Sequence, residues 1–236
     1  MLCVGMGMTP TKNSQNTDLD LEVRHAFKEF VDDTLFPCVA AKAALSRDQM
    51  HIFVAGHLAC PKDDHDILDF IYKFIDEYRA SEQDFHTVCV IFPETHPINE
   101  ESFDRLLWNR LQALSDLDAL KFSYDQRVDT DPSSPQFSFS LGEEAFFIIG
   151  LFPESSREAR RFRYPAIVFN PHAQFEKLRS LKRYDKMKNI VRKRDVALSG
   201  TINPMLNDFG DDSEAYQYSG MRYDKNWECP YKYNNQ

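Results

Sequence analysis

The stretch YPAIVFNPHAQFEKLR, residues 164–179, sets a histidine directly after an Asn-Pro pair. Tyr164 to Phe169 read as a buried strand, Asn170 suits a helix N-cap and Pro171 suits the first helical position. His172 is then expected in the first helical turn, where the positive end of the helix dipole disfavours imidazolium. Neutral imidazole is the form that binds a metal, and free N–H groups at the same helix start favour an anion. Arg157, Arg160, Arg161 and Arg163 precede the strand, and Lys177 and Arg179 follow the histidine. A histidine ligand beside guanidinium groups suits a haem, which needs an axial bond and partners for two propionates. A histidine that only packs or hydrogen-bonds at a strand–helix corner is the plainer alternative, and the residues alone leave both open.

Two cysteines offer a thiolate instead. Cys38, in LFPCVAAKAAL, follows a proline and is expected to open a helix, which would lower its pKa. Cys229 lies between Trp227 and Pro230 in WECP. His51 and His57 flank an expected strand, and His65, His86 and His96 stand at element ends. No HExxH or HxH occurs, so a non-haem metal cage has no support in the spacing. No GxSxG occurs either, which leaves a serine hydrolase without its usual signature.

Charge is unevenly distributed. The 236 residues carry a net charge of -9, which argues against general nucleic-acid binding. Arg157 to Arg194 nevertheless holds 13 basic residues against 3 acidic ones, a segment of +10 in a remainder of -19. Such polarity serves internal ion pairing or an anion site. The eight glycines form no GxGxxG or GxxxxGK[ST] motif, so the usual nucleotide phosphate cradles are not expected. Five cysteines without a CxxC pair suggest neither a disulfide framework nor structural zinc. The start MLCVGMGM lacks a basic n-region, and no apolar run reaches membrane-span length. A cytoplasmic protein without membrane or nucleic-acid partners is the expectation.

The elements that must position these residues follow from periodicity. Residues 1–19 are small and polar, expected as a flexible tail before a single domain at 20–236. Helices are expected near 20–31, after Asp63 or Asp64, and after Asn99, the last two with apolar stripes at helical spacing. Residues 51–57 and 86–93 read as strands. FSFS at 137–140 and LGEEAFFIIGL beyond it read as an antiparallel hairpin turning at Gly142 and Glu143. Two further helices are expected near 171–181 and 183–198. About forty residues from Ser199 on show little period but many specific side chains, which points to a functional segment rather than a tail. The class is α+β: a central, at least partly antiparallel sheet flanked by helices, with a long irregular C-terminal segment.

Across roughly residues 34–231 the chain resembles the YqcI/YcgG family. The likeness is carried in order by FPCVAAKAAL, LLWNRLQAL, FSFSLGEEAFFIIGL, SREARRF, YPAIVFNPHAQFEKLR, RDVALSGTINPMLNDFG, SEAYQYSG and WECP. Ala40 stands where the pattern has glycine, and Met221 stands where it has arginine; neither change removes a candidate ligand. Members similar to this chain include haem-dependent N-hydroxylases of guanidine groups, acting in the D-cycloserine and guanitoxin pathways. The resemblance implies haem b, dioxygen, an external electron donor, and arginine or another small guanidine as substrate. It favours His172 as the iron ligand, with Cys38 second and Asn170 beside it. Arg160 and Arg161 are the expected propionate partners. Glu214, Asp195 and, third, Glu144 are expected carboxylates for a guanidinium, while Tyr218, Asn203 and Ser219 are expected to orient substrate or oxygen. A non-catalytic haem carrier or gas sensor is the rival, and a homodimer is left open.

Overall fold

β-branched and aromatic residues concentrate in five short runs, and each forms a strand. A computed structural model describes residues 14–97, 99–200, 210–224 and 226–234. The strands are β1 (Met50–Val54), β2 (Thr87–Ile91), β3 (Phe139–Leu141), β4 (Glu144–Leu151) and β5 (Ala166–Pro171), in the sheet order β1-β2-β5-β4-β3. Only β1 and β2 pair in parallel, with Met50 opposite Thr87. A parallel pair needs a crossover, and helix α3 (Asp64–Ala80) supplies it. The other pairings are antiparallel, including Val88 with Phe169 and Phe147 with Asn170. The α+β class with a mostly antiparallel sheet is therefore as expected.

The hairpin joining β3 to β4 turns on Gly142 and Glu143, whose φ values are 57° and 58°. Positive φ at both central residues is the turn whose twist matches paired strands. Gly142 is required twice over, because an added Cβ would stand 2.9 Å from the Ile75 side chain. Its amide donates to Asp118 Oδ1 at 2.9 Å, at the end of helix α4 (Glu100–Asp118).

The remaining helices are α1 (Ser14–Asp32), α2 (Val39–Ser46), α5 (His172–Ser180) and α6 (Tyr184–Ser199). Helix α1 starts at Ser14, not near residue 20, because once Val23, Phe27 and Val31 are buried each further turn costs little. Residues 1–13 of the expected tail lie outside the described residues. Asn99 caps α4 as expected, in a reciprocal box with Ser102. Asn170 does not cap α5. Strand β5 runs on through Pro171, which takes the cap position without a side-chain bond, so His172 is the first helical residue.

One face of the sheet packs Phe146, Ile148 and Phe169 against Ile71 and Phe74 of α3 and Leu107 of α4. The other face packs Ile52, Cys89 and Ile91 against Val23 and Phe27 of α1. In β4 and β5, Leu151 and Ala166 join this second core, but Phe147, Ile149 and Val168 on the same side are only half-buried. The C-terminal segment from residue 210 packs on α4: Tyr231 hydroxyl lies 2.8 Å from Ser115 Oγ, and the Tyr223 and Trp227 rings stack at 3.7 Å. Among the described residues no helix is long and apolar enough to cross a membrane.

Asp118 accepts from Tyr72 hydroxyl at 2.8 Å as well as from Gly142, yet burial pushes its pKa up to about 6. A carboxyl raised in the folded state makes stability fall as pH rises from its unfolded value, near 3.8, through 6. Asp118→Asn keeps an oxygen acceptor without the charge. Urea unfolding across pH should show wild type losing about 2–3 kcal/mol relative to this variant between pH 4 and 6, with parallel curves outside that window.

Candidate functional site

Half-buried Phe147, Ile149 and Val168 form the floor of a mostly apolar, partly open cavity of about 270 Å³. Phe27 of α1 and Phe36 line it on one side, with Phe175 of α5 and Tyr184 of α6 among its other walls. The helical period of α6 explains its contribution: Tyr184, Met187, Lys188, Val191 and Asp195 recur at three- and four-residue spacing and all line the cavity. Six residues singled out from the sequence meet here: Cys38, Arg160, Asn170, His172, Asp195 and Glu214.

His172 is only 5% exposed. Its Nδ1 lies 3.6 Å from Glu214 Oε1 and its Nε2 lies 3.4 Å from Glu176 Oε1. Asn170 fastens the strand before it, accepting from Thr87 Oγ1 at 3.0 Å and donating to Phe147 carbonyl at 3.3 Å. Asp195 is buried and forms an ion pair with Arg157. Cys38 does cap α2, its sulfur accepting from Ala41 N at 3.4 Å. The expected lowering of its pKa is not what results, because burial pushes the thiol up and outweighs the two backbone bonds.

Other assignments change. Arg160 reaches the cavity, but its guanidinium donates to the carbonyls of Gln217 at 2.7 Å and Tyr218 at 2.9 Å. Burial and neighbouring Arg157 lower its pKa to about 10, which leaves it charged at neutral pH. Its work is structural: it ties the 3-10 turn Glu214–Gln217 to the sheet. Arg161 does not line the cavity; it donates to Ser155 carbonyl at 2.7 Å and pairs with Glu158. The cavity's other cations are Arg157, Arg179 and Lys188. Arg157 and Arg179 were in view as neighbours of His172, whereas Lys188 was missed, though the α6 period could have found it.

Tyr218 is fully buried beneath the site rather than on its wall. Its hydroxyl accepts from Phe139 N at 3.0 Å and lies 3.4 Å from Glu214 Oε2. Ser219 bonds Tyr223 hydroxyl at 2.8 Å and does not line the cavity. Glu144 points elsewhere, held by Arg127 at 2.9 Å and Arg79 at 3.3 Å. Cys229 packs against the α4 core, and burial raises its pKa to about 12. Asn203 lies outside the described residues.

Among the described residues no group of three or more His, Cys, Asp and Glu stands together to hold a metal ion. The donors present, one buried imidazole and one thiol on an aromatic cavity, instead fit a metal that arrives with most of its own ligands. The α6 wall of the cavity has its main contacts with α2, α5 and the turn at residues 158–160.

The model of the YqcI/YcgG family matches residues 27–232. The chain belongs to the YqcI/YcgG family. It is 26% identical over 207 residues to a Bacillus subtilis (strain 168) protein described as uncharacterized protein YqcI, covering 83% of this chain and 80% of the relative. No solved structure matches. The matched span contains every described part of the cavity, from Phe27 in α1 to Gln217.

Arg160 and Arg161 differ in their contacts, and that difference can be tested through stability. Arg160→Met should lower unfolding stability by about 1–3 kcal/mol, since the Gln217 carbonyl loses its charged donor and the Tyr218 carbonyl keeps only Gly150 N. Arg161→Met should cost under about 1 kcal/mol. Chemical denaturation of both variants checks this, and equal losses would return Arg160 to the ordinary surface cations.

Proposed function

We propose that this YqcI/YcgG protein binds haem b and hydroxylates a guanidine nitrogen of arginine or a related small guanidine. The observation that carries the reading is a buried imidazole, His172, on the wall of an aromatic cavity that also presents Arg157, Arg179 and Lys188. His172 would hold the haem iron through Nε2. Arg157, Arg179 and Lys188 would face the two propionates, replacing Arg160 and Arg161 in that role. Haem supplies, when bound, the site at which dioxygen is reduced.

The reaction replaces one guanidine N–H by N–OH. One oxygen atom enters that bond, the other leaves as water, and two electrons and two protons complete the balance. No flavin or nicotinamide motif stands in the chain, so the electrons come from an external donor. Asp195 is the carboxylate for the substrate. It already receives a guanidinium, that of Arg157, at the cavity wall, so its surroundings suit the same fork from a bound arginine. The apolar walls exclude water and strengthen that pairing.

The test is a visible spectrum of protein expressed with haem supplied, recorded before and after adding L-arginine. A Soret band that shifts with arginine, with arginine turnover to the N-hydroxy product under dioxygen and a reductant, is expected. A Soret band blind to arginine and other small guanidines would favour the carrier or sensor reading. No Soret band even after haem titration would overturn the proposal. His172→Ala should lose the band, or regain it only with added imidazole. Asp195→Asn should weaken arginine binding about tenfold or more while keeping haem.

A further inference from the structure

Glu214 is as buried as the histidine it faces, each 5% exposed, and a carboxylate so placed needs partners. Its Oε2 lies 3.4 Å from Tyr218 hydroxyl, which is itself pinned by Phe139 N. Its Oε1 lies 3.6 Å from His172 Nδ1, within ion-pair reach and just beyond hydrogen-bond length. The backbone beneath is not free to drift. Ser213 caps the turn by accepting from Ala215 N, and Arg160 holds the carbonyls of Gln217 and Tyr218. Gly220 leaves room for that guanidinium: a Cβ there would stand 2.7 Å from Arg160 Cδ. The other ring nitrogen meets a different kind of group, since Glu176 is half-exposed, also pairs with Arg179 and can rotate toward solvent.

From this asymmetry we infer that Glu214 is a positioning residue for His172, not a substrate carboxylate. A carboxylate accepts and cannot donate, so the buried Glu214 draws the imidazole proton to Nδ1 against the competing pull of the half-exposed Glu176 on Nε2. A carboxylate on the far nitrogen of a ligating imidazole fixes its tautomer and ring orientation and makes it a stronger electron donor. The consequence for iron rests on the haem reading above; the tautomer does not. Histidine ligation lacks the electron push of a thiolate, and Glu214 restores part of it from outside the coordination sphere.

Two readouts test this. In the haem-free protein, ¹⁵N shifts should report His172 protonated at Nδ1, and an Nε2-protonated ring would overturn the inference whether or not haem binds. In the haem-loaded protein, Glu214→Gln should lower the iron–histidine stretching frequency of the ferrous state and raise the iron midpoint potential. It should also speed haem loss by about 10- to 100-fold. Asp195→Asn removes a like charge from the same cavity and should leave the iron–histidine band in place. If His172→Ala shows that His172 is the ligand while Glu214→Gln leaves band and potential unchanged, the inference fails and the haem reading stands. If no haem binds at all, the haem reading fails, and the ligand-free tautomer still decides whether Glu214 orients the ring.

Discussion

The buried guanidinium of Arg160 is the contact on which the candidate site depends. It crosses from the turn at residues 158–160 to the main chain of Gln217 and Tyr218, with Gly150 carbonyl of β4 at 3.4 Å. The C-terminal segment has little regular structure of its own, so its backbone groups need partners from elsewhere. Arg160 supplies donors for two successive carbonyls, and Gly150 N donates to Tyr218 carbonyl at 2.7 Å beside them. A point charge on a flexible stem would not serve as well, because only a planar fork meets several carbonyls at once. The cost is a buried cation, visible in the lowered pKa, and charge-assisted hydrogen bonds offset it. Glu214 and Tyr218 hold their places beneath the cavity through this arrangement.

The +10 segment gains a structural meaning from the fold. Part of it is paired internally, Arg157 with Asp195, Arg179 with Glu176, Lys177 and Arg183 with Asp84, and Lys188 with Asp185, so a propionate at Arg157, Arg179 or Lys188 would compete with a carboxylate already there. Most of these pairs are exposed on at least one side, where an ion pair contributes little to stability. Arg157–Asp195 differs, because both partners are close to nine-tenths buried at the cavity wall. An ion pair in apolar surroundings is expensive to desolvate and rarely chosen for stability alone. Its presence at a cavity is in keeping with the proposed role of Asp195, where a guanidinium substrate would take the place of Arg157.

The elements were largely legible in the sequence because each rested on a local signal. The hairpin showed in strict alternation followed by Gly142-Glu143, and the α4 start showed in Asn99. The end of β5 was not legible: Asn170 and Pro171 are also good helix-start residues, and only pairing with Phe147 and Phe146 carries the strand past them. At the site, His172 was identifiable by type and neighbourhood, whereas Asp195 and Glu214 came only from the family resemblance. Their mutual distances were not, since 42 residues separate His172 from Glu214 in the chain. Arg160 and Arg161 are indistinguishable as letters. What separates them is that Arg160 points beneath the C-terminal turn, a long-range contact that no periodicity announces.

The two faces of the sheet carry different burdens. Under α3 and α4, alternate residues of β4 and β5 are packed to near-zero exposure, and an added methyl on Gly150 would fall 2.6 Å from Leu107. That side leaves no room for adjustment and holds the strands rigid. On the other side, Phe147, Ile149 and Val168 stay half-buried beneath a helix, α6, that contributes few residues to either core. This division gives the cavity a floor fixed by the close-packed face and a wall that is not part of either core. His172 stands at the seam, the first residue after strand β5 and the first of helix α5, on the cavity that α6 also lines. A ligand bonded there would be oriented by the sheet and enclosed by α6, which is the arrangement a reactive group needs when it must be both held and shielded from water.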